Sequence, residues 1–249
     1  MKYSEHLDPI KVGDYEVRLL KNDEELLVFQ KLRYEHLILE FFPERNDEER
    51  IDYNGGYDEI TSQLCVFNTS GEKDELVGGY VLMRCGEGKI SKTQGEFDLS
   101  RLLKKHPKEV LEASRAVVHP SHRNPIVLRL LWKGIEEYVE KFNLTYIIGT
   151  VSMRGLNPAQ YVKELSYLKQ NYLMDSDIMV TSLQRHDLKL PELESGELDL
   201  IRRNLTPLLR GYLMNGSKVG EGVFVDKEFH GVDVFTILHK NDYFLRRLK

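Results

Sequence analysis

Apolar residues along the chain switch between a two-residue and a helical spacing, and these switches predict its elements. Residues 15–20 (YEVRLL) form an expected strand. Leu26, Leu27, Phe29, Leu32, Leu37 and Ile38 then recur at helical spacing, with Asn22 or Asp23 as N-cap. The runs at 62–67 and 75–84 flank NTSGEKD, whose Asn, Ser, Gly and Asp supply the turn of an antiparallel hairpin. Asp98 and Ser100 stand before LLKKH as caps of a short helix, and VLEASRAVV (110–118) is expected to be a buried central strand.

The clearest periodicity follows Asn124-Pro125, which suits an N-cap and first helical position. Val127, Leu130, Leu131, Ile135, Tyr138, Val139 and Phe142 take one face, and Arg129, Lys133, Glu136, Glu137 and Glu140 take the other. With TYIIGTVS (145–152) as the next strand, the order strand, helix, strand has the size of a βαβ crossover, which predicts two parallel neighbours. A helix is expected from Asn157-Pro158 to about Tyr172, then a polar, acidic surface excursion near 184–200. The last part predicts a helix at LTPLLRGYLM and two strands around a turn at Glu228 to Gly231.

Composition adds bounds to this pattern. With 249 residues, 41% hydrophobic and 30% charged, the chain can bury a full core, which excludes a disordered or disulfide-stapled protein. A net charge of -5 argues against a general nucleic-acid binder, which needs a large positive field. Cys65 and Cys85 form no CxxC pair, so a reducing compartment, the cytoplasm, is expected. The N-terminal residues lack an apolar signal core, and no apolar run is long enough to span a bilayer. The tail Tyr243 to Lys249 mixes Arg246, Arg247 and Lys249 with apolar residues, a pattern compatible with peripheral contact to anionic lipid at the inner face of the membrane.

Common chemical motifs are missing. GYLMNGSK puts Ser217 where a P-loop needs lysine, and Gly86-Glu87-Gly88 and Gly220-Glu221-Gly222 lack the third glycine of a dinucleotide fingerprint. HExxH, GxSxG and the His-x4-Asp of glycerolipid O-acyltransferases are absent. His119 and His122 offer two nitrogens without a third ligand in reach, so no metal is expected.

Residues 112–132 are more specific. Glu112-Ala-Ser-Arg115, Val118, Pro120 and Arg123, followed by the helix containing Leu130-Leu131-Trp132, resemble the core of the GNAT superfamily of N-acyltransferases. They more closely resemble the ornithine-lipid N-acyltransferase family, which has also carried the label "hemolysin", and the ExSR element is shared with acyl-homoserine-lactone synthases. Gly95-Glu-Phe-Asp-Leu-Ser100, Leu32-Arg33-Tyr34 and the segment from Tyr212-Leu213 through Gly216, Asp226, Phe229 and Asp233 extend the resemblance over about residues 17–238. It implies one α+β domain over 1–249: a mixed, mostly antiparallel sheet with two splayed central parallel strands, flanked by helices.

It also implies a fatty, optionally 3-hydroxylated, acyl group passing from the phosphopantetheine thioester of acyl carrier protein, or from acyl-CoA, to the amine of a small amino acid such as ornithine or glycine. Glu112 is then the expected general base, with its pKa raised by an apolar strand. Val117 and Val118 are expected beside the thioester, and Arg123, Asn124, Ile126 and Val127 beside the donor phosphate at the helix N-terminus. Arg33, Asp58, Asp98, Arg115 and Ser152 are expected to support the acceptor or the active site, and Asp52 joins Asp58 as a candidate for the acceptor ammonium. Arg115 would face away from Glu112 in a regular strand, so either a bulge brings them together or they act separately; its alternative role is an ion pair with Asp58 or Asp98.

Two positions depart from the family. Pro125 has no N–H where many GNAT proteins have glycines, which disfavours a CoA pyrophosphate cradle and leaves a carrier protein more compatible. Residues 101–141 carry nine Lys/Arg against five Asp/Glu, a local +4 suited to an acidic carrier. Val81 stands where the family usually has arginine, with Arg84 three residues on. The alternatives are an acetyl-CoA enzyme, an acyl-homoserine-lactone-type synthase and a non-catalytic GNAT-fold binding module. No metal or redox cofactor is implied.

Overall fold

The structure, a computed structural model, describes residues 3–86 and 90–242. The basic tail at 243–249 lies outside the described residues. In chain order the elements are β1 (Ile10–Val12), β2 (Tyr15–Leu19), α1 (Asp23–Arg33), a π-helical turn (Tyr34–Ile38), α2 (Leu39–Phe41), β3 (Ser62–Asn68), β4 (Glu75–Arg84), β5 (Phe97–Asp98), α3 (Ser100–Lys105), β6 (Val110–Val118), α4 (Pro125–Lys141), β7 (Tyr146–Arg154), α5 (Val162–Tyr172), β8 (Thr181–Ser182), α6 (Leu198–Asn204), α7 (Pro207–Met214), β9 (Lys218–Val219), β10 (Phe224–Asp226) and β11 (Gly231–His239). They group into two compact units, residues 1–84 with 113–143, and residues 85–112 with 144–249. Strand β6 starts in the second and ends in the first.

In the first unit β1 to β4 form an antiparallel meander, and His119 N–H donates to Val77 O (2.8 Å) where the second half of β6 runs beside β4. Asn22 caps α1 through Glu25 N–H, and Asp23, Glu24 and Glu25 complement the positive end of the helix. Helix α1 lays Phe29 over Gly79, where a Cβ would lie 2.8 Å from Cys65 Sγ and the Phe29 ring. Helix α4 approaches through Gly134, packed on Leu64 and Val17. Because Leu64 and Cys65 are adjacent in β3, the two helices cover opposite faces of the meander.

In the second unit β6 runs parallel to β7 through three pairs, Val110 to Glu112 with Tyr146 to Ile148. Strand β7 then pairs antiparallel with β11 from Gly231↔Arg154 to His239↔Tyr146, and β10 closes a hairpin on β11. One apolar cluster joins Phe97, Leu102, Val110, Ile148 and Phe235. Another joins Leu165, Leu168, Leu209, Val223 and Val234. The segment expected to be a polar excursion also has an apolar side, because Leu188, Leu190 and Leu193 pack on this second cluster. A cavity of about 220 Å³ lies there, lined by residues including Leu165, Leu168, Leu188, Leu190 and Val234.

Candidate functional site

Glu112 is the last residue of β6 in the parallel ladder, and it is only 3% exposed. The turn Lys92–Gly95 holds it in place: Ser91 and Gln94 form a reciprocal capping box, and Thr93 N–H donates to Glu112 Oε2 (3.0 Å). The bond gives the buried carboxylate a fixed partner and so an orientation. Cys85 lies beside this turn, and burial, followed by the Glu112 charge, pushes its thiol up to about 12. Burial also pushes the Cys65 thiol well up, so neither cysteine supplies a thiolate nucleophile.

Three further carboxylates gather in the same unit. Oxygens of Glu96, Asp226 and Asp233 lie within 4.8 Å of one another, and all three residues are buried. Burial, then Asp233 and Asp226, raises the Glu96 pKa to about 8. Burial raises Asp233 to about 6 with Asp226 adding to the rise, while a hydrogen bond from Ser152 opposes it. Ser152 faces Asp233 across the β7–β11 ladder, so its expected place in the site is partnered by a residue that sequence reasoning did not select. The missed trio lay inside quoted segments: Glu96 in GEFDLS, and Asp226 and Asp233 in the C-terminal pattern. The signal was an acid embedded among β-forming apolar residues, as in VDVF (232–235).

The other expected acceptor residues are already engaged. Arg33, with no exposed surface, donates to both oxygens of Asp58 (2.9 and 2.6 Å) and to Asp52 O (2.5 Å), and its Nε lies 3.1 Å from Asp52 Oδ2. Gln30 adds a bond to Asp58 (2.9 Å), and Arg115 Nε donates to Asp52 Oδ2 (3.0 Å). Burial pushes Asp52 up, but Arg115 and Arg33 outweigh it and hold its pKa below the ordinary value. Asp52 and Asp58 therefore bind guanidinium groups of the chain itself and do not wait for an acceptor ammonium. Arg115 adopts φ +54°, which breaks the strand alternation at that residue, and its partner is Asp52, not Asp58 or Asp98. Asp98 is exposed and accepts Ser100 N–H (2.9 Å) in the turn that leads into α3.

At the start of α4 the expected phosphate amides are also taken. Asn124 Oδ1 accepts Ile126 N–H (2.9 Å) and Val127 N–H (3.0 Å), Leu128 N–H reaches Asn124 O (3.4 Å), and Pro125 has no N–H. Arg123 Nε donates to Val118 O (3.1 Å), bracing the end of β6. Val117 is buried in the apolar cluster with Phe29 and Val81, and its carbonyl lies against Gly78. The Val81 departure thus fills a core position, while Arg84 pairs with Glu5 (2.8 Å). His122 contacts the Tyr15 hydroxyl (3.0 Å), and neither His119 nor His122 joins a three-ligand cluster among the described residues.

Comparison with known proteins bears on the family and the fold. An acetyltransferase (GNAT) domain model matches residues 32–133. The chain is similar to an L-ornithine N(alpha)-acyltransferase of Rhizobium meliloti (strain 1021), with 30% identity over 246 residues, covering 92% of this chain and 81% of the relative. A protein of the same name in Agrobacterium fabrum (strain C58 / ATCC 33970) is 28% identical over 240 residues, covering 92% and 82%. Among solved structures, FeeM, an N-acyl amino acid synthase from uncultured soil microbes, superposes with a TM-score of 0.52 at 10% identity, covering 95% of this chain and 94% of FeeM. BjaI, a CoA-dependent acyl-homoserine lactone synthase, gives 0.50 at 11%, covering 90% and 80%. At such identities these two likenesses establish the fold alone, the GNAT-type α+β fold that the ExSR region implied.

Proposed function

Because this chain is an acyltransferase belonging to the L-ornithine N(alpha)-acyltransferase family, we propose that it moves a fatty acyl group from acyl carrier protein to the α-amine of ornithine or a closely similar amino acid, a step in lipid synthesis. The observation that carries the reading is Glu112, a buried carboxylate fixed by Thr93 N–H at the end of the parallel ladder. An ammonium must lose a proton before its nitrogen can attack, and a carboxylate held this way suits that task.

In the proposed step the amine nitrogen attacks the thioester carbonyl carbon. An N–C bond forms and the C–S bond breaks; of the two protons that the ammonium nitrogen gives up, one leaves to solvent and the other, taken by Glu112, passes to the departing thiolate. The products are an amide and a free phosphopantetheine thiol. High thiol pKa values at Cys65 and Cys85 favour this direct transfer over a cysteine-bound acyl intermediate.

For the donor, the occupied amides of α4 weigh toward a carrier protein. A CoA pyrophosphate needs several free backbone donors at a helix N-terminus, and Asn124 and Pro125 remove the ones α4 would offer. The basic stretch at 101–141 suits an acidic carrier, although Lys105 already pairs with Asp177 and Lys133 with Glu136 and Glu137. The test offers purified protein a panel of plain and 3-hydroxyacyl carrier proteins, acyl-CoA and acetyl-CoA, with pooled amino acids, and reads donor and product by mass. The expected result is amino-acid-dependent loss of a long acyl group from the carrier. Consumption of acetyl-CoA alone would overturn it.

A further inference from the structure

The transfer step uses Glu112 and leaves the Glu96, Asp226 and Asp233 trio without a task. Trios of acids are common without a ligand, but this one is incompletely satisfied. Glu96 is 8% exposed and Asp233 2%, yet Glu96 Oε2 and Asp233 Oδ1 have no hydrogen-bond partner. Asp226 is better served, because its Oδ1 accepts Glu228 N–H (2.7 Å) and Phe229 N–H (3.0 Å). Buried carboxylate oxygens are costly to leave unpaired, and a fold retains them where a ligand completes them.

We infer that Glu96, Asp226 and Asp233 receive the distal ammonium of a diamino-acid acceptor, the charged end that is not acylated. This inference rests on the proposed transfer to an amino-acid amine and deepens it by assigning specificity. An alkylammonium brings three N–H donors, one for each carboxylate. A hard divalent cation fits less well: Ca²⁺ or Mg²⁺ takes six or more oxygen ligands, and Lys92, close enough to lower the pKa of both Glu96 and Asp233, already supplies a positive charge. The site also lies in the right part of the chain. Thr93, which fixes Glu112, and Glu96 sit within one short turn, and Glu96 feels the Glu112 charge. One turn thus orients the base and presents a carboxylate to the far end of the acceptor. A raised pKa at Glu96 has the same meaning, since the three acids by themselves retain a proton that an ammonium would displace.

The test measures equilibrium binding of ornithine and of 2-aminopentanoate, the same carbon chain without the distal amine, to the wild type, Glu96→Gln and Asp233→Asn. Steady-state kinetics run alongside. The wild type should prefer ornithine by about tenfold or more, and each variant should lose that preference by weakening ornithine alone, with KM rising and kcat less affected. Equal binding of the two compounds by the wild type, or equal weakening of both in the variants, would overturn the inference. Titration with Mn²⁺ alone covers the metal arm: stoichiometric binding abolished in Asp233→Asn would assign the trio to a metal instead. If the wild type acylated no amine, the transfer reading would fail, while the binding comparison would still decide this one. Both substitutions keep size and add no buried charge, so folding is expected to survive, and a melting curve checks it.

Discussion

Two buried clusters of charge, one in each unit, look alike by composition and behave in opposite ways. In the first, Arg33 and Arg115 face Asp52 and Asp58, two positive groups against two negative, with Gln30 and the Asn54 N–H adding hydrogen bonds, while Arg33 Nε and Asn54 Oδ1 lack one. In the second, three carboxylates share one region, and two of their oxygens have no partner. The first is closed in charge and ties α1 to the 52–58 loop and to β6, so it serves the scaffold. The second is open in charge, three acids with Lys92 as the cation that acts on them, and such an imbalance in a buried place suits a cationic ligand. Burial alone does not separate site from scaffold; the balance of charge does.

The largest effect is expected beside the open cluster. Glu112→Gln keeps the shape but cannot take a proton, so kcat should fall about 10²–10⁴-fold with the melting temperature little changed, as stopped assays and calorimetry would read. Retained turnover would remove Glu112 from the chemistry. The closed cluster responds in stability instead. Arg33→Met strands Asp58 without its bidentate counter-charge, leaves Asp52 to Arg115 alone, and should cost roughly 3–5 kcal/mol in denaturant unfolding.

The clusters also differ in the sign of their pH response. Glu96 is raised from 4.5 to about 8 and Asp233 from 3.8 to about 6, so between those limits the folded state holds protons that the unfolded state has lost. Stability of the protein should therefore fall as pH rises from about 4 to 8, by at most roughly 1.4 kcal/mol per pH unit per group. Glu96→Gln should flatten that slope. Asp52 runs the other way: its pKa is lowered, so its contribution is present above 3.8 and is lost as pH falls through the folded value. The smallest effect belongs to the cap of α4, where Asn124→Ala should cost about 1 kcal/mol by releasing Ile126 and Val127 N–H, read as a small drop in melting temperature.

Elements set by local periodicity were legible in the sequence. The strand at 110–118, the Asn124-Pro125 start of α4 and the hairpin near the C-terminus are found where the spacing put them. Partnerships were not legible, because they join distant residues: Arg33 meets Asp58 25 positions away, and Arg115 meets Asp52 63 away. A lone carboxylate in a sequence looks the same whether it awaits a ligand or already holds an arginine. One conflict was visible in advance. Asn124 as N-cap and a phosphate on the same amides are mutually exclusive uses, and the cap has them. Glu96, Asp226 and Asp233 escaped selection because folding alone brings residues from two ends of the second unit together.

The distinction between closed and open clusters is tested most directly by melting Asp58→Asn and Asp233→Asn side by side at pH 7.5. The account predicts opposite signs. Asp58→Asn should lower the melting temperature, because Arg33 loses its bidentate partner, and Asp233→Asn should raise it, because a buried charge crowded against Asp226 is removed. Equal losses in both variants would contradict it, making the second cluster a piece of scaffold like the first.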